Sequence, residues 1–139
     1  MALVHGAKGI VYFVHEFKPQ FREDAIFRYP DIVDEVTNIN RQIRSLAPVL
    51  NGPNTSLKIS AQSPVPIATM LKGHEHALYL FAVAMRNVAS RPQFAIEGLG
   101  DSRADVLDET RSVSIRNGVL EDDFAGYGVH LYRIPLSGR

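Results

Sequence analysis

The sequence, 139 residues long, contains no cysteine and no tryptophan. Without cysteine there is no disulfide framework, no thiolate metal site and no cysteine nucleophile, and the redox compartment stays open. The missing tryptophan removes the largest planar surface on which a sugar-binding module stacks its ligand, although tyrosine can take that part. An excess of one charge is lacking too: 15 Lys and Arg residues balance 15 Asp and Glu residues. Such a chain offers no basic field to nucleic acid and no polybasic patch to a membrane, and neither is expected as a partner. No apolar run approaches the ~20 residues that span a bilayer. The opening Met1-Ala2-Leu3-Val4-His5-Gly6 lacks the apolar stretch of a secretory signal, so no compartment is assigned. What remains is ordinary for a folded domain, with 45% hydrophobic and 22% charged residues.

The first fifty residues read as strand then helix. Ile10-Val11-Tyr12-Phe13-Val14 is a continuous apolar run rich in β-branched and aromatic residues, the pattern of a parallel strand covered on both faces. After a loop holding Pro19 and Pro30, Ile32, Val36, Ile39, Ile43 and Leu46 recur every three or four residues and line one helical stripe. Asp31, Asp34 and Glu35 near its start and Arg41 and Arg44 near its end suit the helix dipole. Pro48 and Asn51-Gly52-Pro53 terminate it, so a helix is predicted over 31–47.

From about Ser56 onward the pattern changes to short strands. They are expected at 57–59, 66–71, 76–86, 93–97, 104–107, 111–116, 119–124 and 127–134. Asn117-Gly118 joins two of them as a type I′ hairpin turn, because both positions need φ > 0. The expected fold is mainly β: an antiparallel β-sandwich over 51–139 preceded by the strand–helix unit of 1–50.

Residues 76–86 are apolar on both faces. Ala77, Tyr79, Phe81, Val83 and Met85 share one side, and Leu78, Leu80, Ala82 and Ala84 share the other. The second face needs a cover, from the helix at 31–47, a partner chain or a neighbouring domain. If that cover were foreign, burying ~500 Å² of apolar surface would contribute on the order of 12 kcal/mol before ordering costs. Left bare, the face would drive association with a second copy of the chain. The strand expected at 10–14 makes the same demand, since a lone βα unit supplies no ladder partners.

These residues resemble the C-terminal part of (β/α)₈ glycoside hydrolases. Gly6-Ala7-Lys8-Gly9-Ile10-Val11-Tyr12-Phe13 is similar to their last barrel strand, and Ile39-Asn40-Arg41-Gln42-Ile43-Arg44-Ser45-Leu46-Ala47-Pro48-Val49-Leu50 to the closing helix. Residues 77–87 resemble a central strand of the β-sandwich that follows the barrel. Phe124-Ala125-Gly126-Tyr127-Gly128-Val129-His130-Leu131-Tyr132 resembles its final strand. The resemblance implies a non-catalytic accessory portion packed against a catalytic barrel. The two carboxylates of such enzymes sit on barrel strands four and seven, and no residue here matches either, so no catalytic residue is assigned. Two alternatives stand beside it: an independent carbohydrate-binding module, and part of an active glycosidase completed by another chain.

If a barrel is present, His15, Glu16 and Phe17 at the C-terminal end of the expected strand would line a sugar subsite. Otherwise they begin a solvated loop. His15 and Glu16 do not form an acid/base pair, because neighbouring strand residues point to opposite faces. His74 and His76, at i and i+2, would share a strand face, but two imidazoles without a third ligand make no metal site, and a polar strand entrance is expected. His130 reads as a hydrogen-bonded histidine within the sheet. Glu121-Asp122-Asp123, Asp101, Asp105, Asp108 and Glu109 lack the spacing of a calcium loop and read as solvated turns. Asn54-Thr55-Ser56 fits the glycosylation triplet, which has meaning only in a secretory eukaryotic setting. Gly98-Leu99-Gly100 lacks the rest of a nucleotide loop, and no serine sits in a Gly-x-Ser-x-Gly elbow. No metal or cofactor is expected.

Overall fold

A computed structural model describes residues 1–136. Two helices precede eight strands. The helices are α1 (Pro30–Ser45) and α2 (Ala47–Leu50). The strands are β1 (Ile59–Gln62), β2 (Ile67–His74), β3 (Ala77–Ala84), β4 (Gln93–Ile96), β5 (Ser102–Val106), β6 (Arg111–Arg116), β7 (Val119–Glu121) and β8 (Val129–Pro135). Single 3₁₀ turns occupy Leu3–His5 and Ala25–Arg28.

All strand pairs are antiparallel and belong to one sheet in the order β1-β4-β7-β6-β5-β8-β3-β2. Its two edge strands, β1 and β2, return to contact one another, so the sheet curls into a barrel-like form. The mainly β fold with a helix before it is therefore present, but as one continuous sheet instead of two stacked ones. The link is the seam between β5 and β8, only two residue pairs long, Asp105↔Arg133 and Val106↔Tyr132.

The hairpins follow local chemistry. Asn117 and Gly118 both have positive φ, at 49° and 76°, and join Arg116 to Val119. A β-carbon on Gly118 would stand 2.5 Å from the Leu99 carbonyl oxygen, so only glycine fits. The β2–β3 turn has the same form without that signature: Glu75 and His76 take φ of 44° and 59°. Consequently His74 ends β2, His76 lies in the tight turn, and the two do not share a strand face.

The main core fills the inside of the curl. Leu78, Leu80, Ala82 and Ala84 of β3 meet Phe94, Ile96, Ile115, Leu120, Phe124 and Tyr132 there. A second, smaller core lies on the other face of β3, where Phe81 and Leu131 pack against Leu46 and Val49, with Tyr79 and Met70 at the margin. The second apolar face of β3 is thus covered by this chain's own helical segment, the first of the three expected covers, and this face needs no foreign surface.

The break between α1 and α2 has a covalent cause. Pro48 has no N–H for the Arg44 carbonyl, so α1 ends at Ser45, capped by Leu46, and the chain restarts as a single turn. That kink brings Leu46 and Val49 onto the sheet. The apolar stripe of α1 divides accordingly: Leu46 is buried beyond its C-terminal end, whereas Ile32 and Ile39 are exposed. No residue of α1 is fully buried.

The strand expected at 10–14 does not form. Residues 7–15 run without ladder partners, and Val11 and Phe13 are 97% and 73% exposed. The reason is the one that the sequence states: a doubly covered strand needs neighbours on both edges, and both edges of this sheet lie elsewhere.

Candidate functional site

The expected subsite residues lie beside this unpaired segment. Glu16 and Arg22 exchange backbone hydrogen bonds of 3.0 and 2.9 Å, closing a loop that holds the cis Lys18–Pro19 bond. Residues 13, 15 and 17 alternate onto one side of the extended backbone. Phe13 stacks on Phe17 with ring centroids 6.0 Å apart, and His15 stacks on Phe21 at 5.7 Å. Phe17 and Phe21 close the group at 5.6 Å. Glu16 turns the other way, its carboxylate 3.5 Å from Arg28. The structure therefore separates His15 from Glu16, as neighbours on extended chain must be.

A shallow cavity of about 290 Å³ is lined by Phe13, His15, Glu16, Ile26, Tyr29 and Ile32 among others. Of the three expected residues, His15 and Glu16 contribute to the lining of this cavity and Phe17 belongs to the aromatic stack beside it. The surroundings are apolar and open: Phe17, Phe21, Phe27, Tyr29 and Ile32 are all exposed. Together with Val11, Phe13 and Ile39, these side chains lie between residues 11 and 39, in the half of the chain that the sheet does not cover. Monomeric proteins rarely expose so much apolar surface in one region.

Sequence reading missed a second arrangement, at the β6–β8 side of the sheet. Arg111 donates two hydrogen bonds to Asp122, at 2.9 and 2.8 Å, and one to Glu109 at 2.8 Å. The Tyr132 hydroxyl donates to Asp122 at 2.8 Å. His130 contacts the Glu109 carboxylate through Nδ1 and the Asp123 carbonyl through Nε2, with its ring edge-on to Phe124. Burial pushes the Asp122 carboxyl up. Hydrogen bonds from Arg111, Tyr132 and the Asp123 N–H outweigh it and hold the group below its ordinary value. Burial, then the hydrogen bond to Asp122, pushes the Tyr132 hydroxyl up, so it stays a donor. Hydrogen bonds to Asp122 and Glu109 outweigh burial and raise Arg111 further.

Chemically, this cluster is a closed set of charge-assisted bonds, with each acid occupied. Beside it Gln93 and Arg91 bond to Glu121 and hold its carboxyl below the ordinary range. Asp101 accepts from the Asn117 N–H at 2.7 Å, and Asp108 accepts from Gln42 at 2.6 Å. The acids read as solvated turns are thus largely clamps within the fold. The signal that could have found them is alternation: His130 and Tyr132 share a strand face and both need polar partners.

Among the described residues, no group of three or more His, Asp or Glu side chains is placed to hold a metal ion. No helix there is long and apolar enough to cross a membrane. Comparison with protein-family models, with curated proteins and with solved structures returned no match.

Proposed function

We propose that this chain is a non-catalytic accessory β portion of a glycoside hydrolase, packed through residues 10–39 against a catalytic (β/α)₈ barrel. One observation carries the reading. The sheet satisfies itself, while the segment before it leaves Val11, Phe13, Phe27 and two residues of the α1 stripe, Ile32 and Ile39, bare. This is the part whose sequence resembles the last strand and helix of a barrel, elements that elsewhere are buried by their barrel neighbours. In the absence of a barrel the same face takes a second copy of the chain.

The reading is tested on the natural transcript and its product. Several hundred in-frame residues upstream of Met1, bearing Asp or Glu at strand ends, with aryl glycosides cleaved by the full product, support it. An in-frame stop directly upstream, together with no glycosidase activity on mixing with candidate barrel chains, overturns it.

A second reading, an independent carbohydrate-binding module, is favoured by the exposed stack of Phe13, His15, Phe17 and Phe21. Affinity electrophoresis through a panel of polysaccharides decides it: retardation lost in Phe17→Ala supports the module, and no retardation removes it.

A further inference from the structure

A cavity of about 610 Å³ touches the docking segment only at Ile10 and has its own chemistry. It lies where the N-terminal turn, the end of α1, α2 and β2 meet, a volume in the range of small-molecule sites. Its apolar wall is made by Val4, Ile43, Leu50 and Met70. Lys72 stands at its edge and is only 7% exposed, the one charged residue counted as buried among the described residues.

Lys72 is placed by β2, where it pairs with Tyr79 and so points to the helix side of the sheet, the side of Met70 two residues before it. Its Nζ donates to the Gly52 carbonyl at 2.8 Å. A lysine head carries three N–H bonds. None of the ion pairs among the described residues includes Lys72. Glu109, Glu121, Asp108 and Asp101 bond elsewhere, to Arg111, Arg91, Gln42 and the Asn117 N–H, and no Asp or Glu is among the residues that line this cavity. A buried cation with one neutral acceptor is costly to the fold and waits for an anion. Asn51 and Asn54 line the same cavity and supply amide groups that suit a carboxylate or its polar neighbours.

We propose that this cavity binds a small monocarboxylate with an apolar body, its carboxylate on Lys72 and its body against the wall of Val4, Ile43, Leu50 and Met70. Lys72 is the buried cation of a lining that also holds the exposed Lys8 and His5, and the apolar wall asks for more than a bare ion, which sets an apolar carboxylate apart from inorganic phosphate. The inference is independent of the glycosidase reading, because it uses no residue of the exposed face at 11–39 except through the fold that holds it.

The test titrates benzoate, the neutral isostere benzamide, acetate and inorganic phosphate into the intact chain, followed by thermal shift and by amide chemical shifts. Benzoate should bind at least about tenfold tighter than benzamide, the worth of one charge-assisted hydrogen bond. It should also bind tighter than acetate or phosphate, with shifts at Gly6, Gly9, Asn51, Asn54 and Lys72. Lys72→Met should abolish the preference for benzoate over benzamide. Equal binding of benzoate and benzamide, phosphate binding as tight as benzoate, shifts confined to other regions, or no binding at all overturns the proposal. Should Lys72→Met fail to fold, the wild-type comparison of benzoate with benzamide and the shift map still decide it. Failure here leaves the docking reading standing, since that is read from the transcript and from glycosidase activity.

Discussion

Asp122→Asn is the perturbation that weighs the polar cluster on the sheet. Asp122 accepts two bonds from Arg111, one from Tyr132 and one from the Asp123 N–H. Asparagine keeps the shape, loses the charge and replaces one acceptor oxygen with an NH₂ that faces donors. Hydrogen bonds to charged groups contribute about 1.5–3 kcal/mol each, but Arg111 is partly exposed and its share is screened. The net loss at pH 7 should be about 3 kcal/mol, or roughly 10 °C in Tm for a domain of this size. The pH dependence has a definite sign. The folded-state pKa of Asp122 lies below its ordinary value. Its stabilisation is therefore complete above the unfolded carboxylate's ~3.9 and is lost as pH falls through the lower folded value. Urea unfolding at pH 7, 5, 4 and 3, followed by circular dichroism, should show the gap between wild type and variant steady to about pH 5 and shrinking below pH 4. A variant within about 0.5 kcal/mol of wild type at pH 7, or a gap unchanged down to pH 3, would refute the reasoning.

Tyr132→Phe, which removes only the hydroxyl on Asp122, should cost about 2 kcal/mol by the same unfolding measurement. Phe81→Ala should cost about 3 kcal/mol, since Phe81 is the sheet's anchor in the second core; a near-neutral result would mean that the helical segment does not cover β3. Gly126→Ala should destabilise by about 2 kcal/mol, because its β-carbon would lie 2.8 and 2.9 Å from the backbone carbonyl carbon and Cα of Asn87. The triple variant Val11→Ser, Phe13→Ser, Phe27→Ser should leave the unfolding midpoint nearly unchanged but abolish self-association in light scattering; a wild-type chain that stays monomeric at high concentration would contradict the docking face.

Most of the sheet was legible in the sequence because period-two alternation and Asn117-Gly118 are local signals. Residues 111–116 were placed to the residue, and the other seven strands overlap their expected ranges. The helix was legible for the same reason, apart from the kink at Pro48, where the chain resumes helically instead of stopping. Three things were not legible. Ile10–Val14 has the composition of a strand, yet a strand exists only through its neighbours, and no local pattern says whether they are supplied. The cover of Phe81 was equally hidden, because which of three candidate surfaces reaches it depends on the direction in which the kink turns the chain. Alternation marks His130 and Tyr132 as needing polar partners, but which residues supply them depends on how separate strands pair, and that is a matter of topology.

The position of β8 has a consequence for how this chain comes to be made. The strand that joins β5 to β3 is the last of the eight in sequence. During translation β3 emerges early, with its Leu78, Leu80 and Ile134-facing edge exposed, and must wait for residues 129–135 before the curl can close. Until those residues clear the ribosome, the growing chain presents an open, sticky strand edge, and a nonsense codon anywhere before them would leave it permanently so.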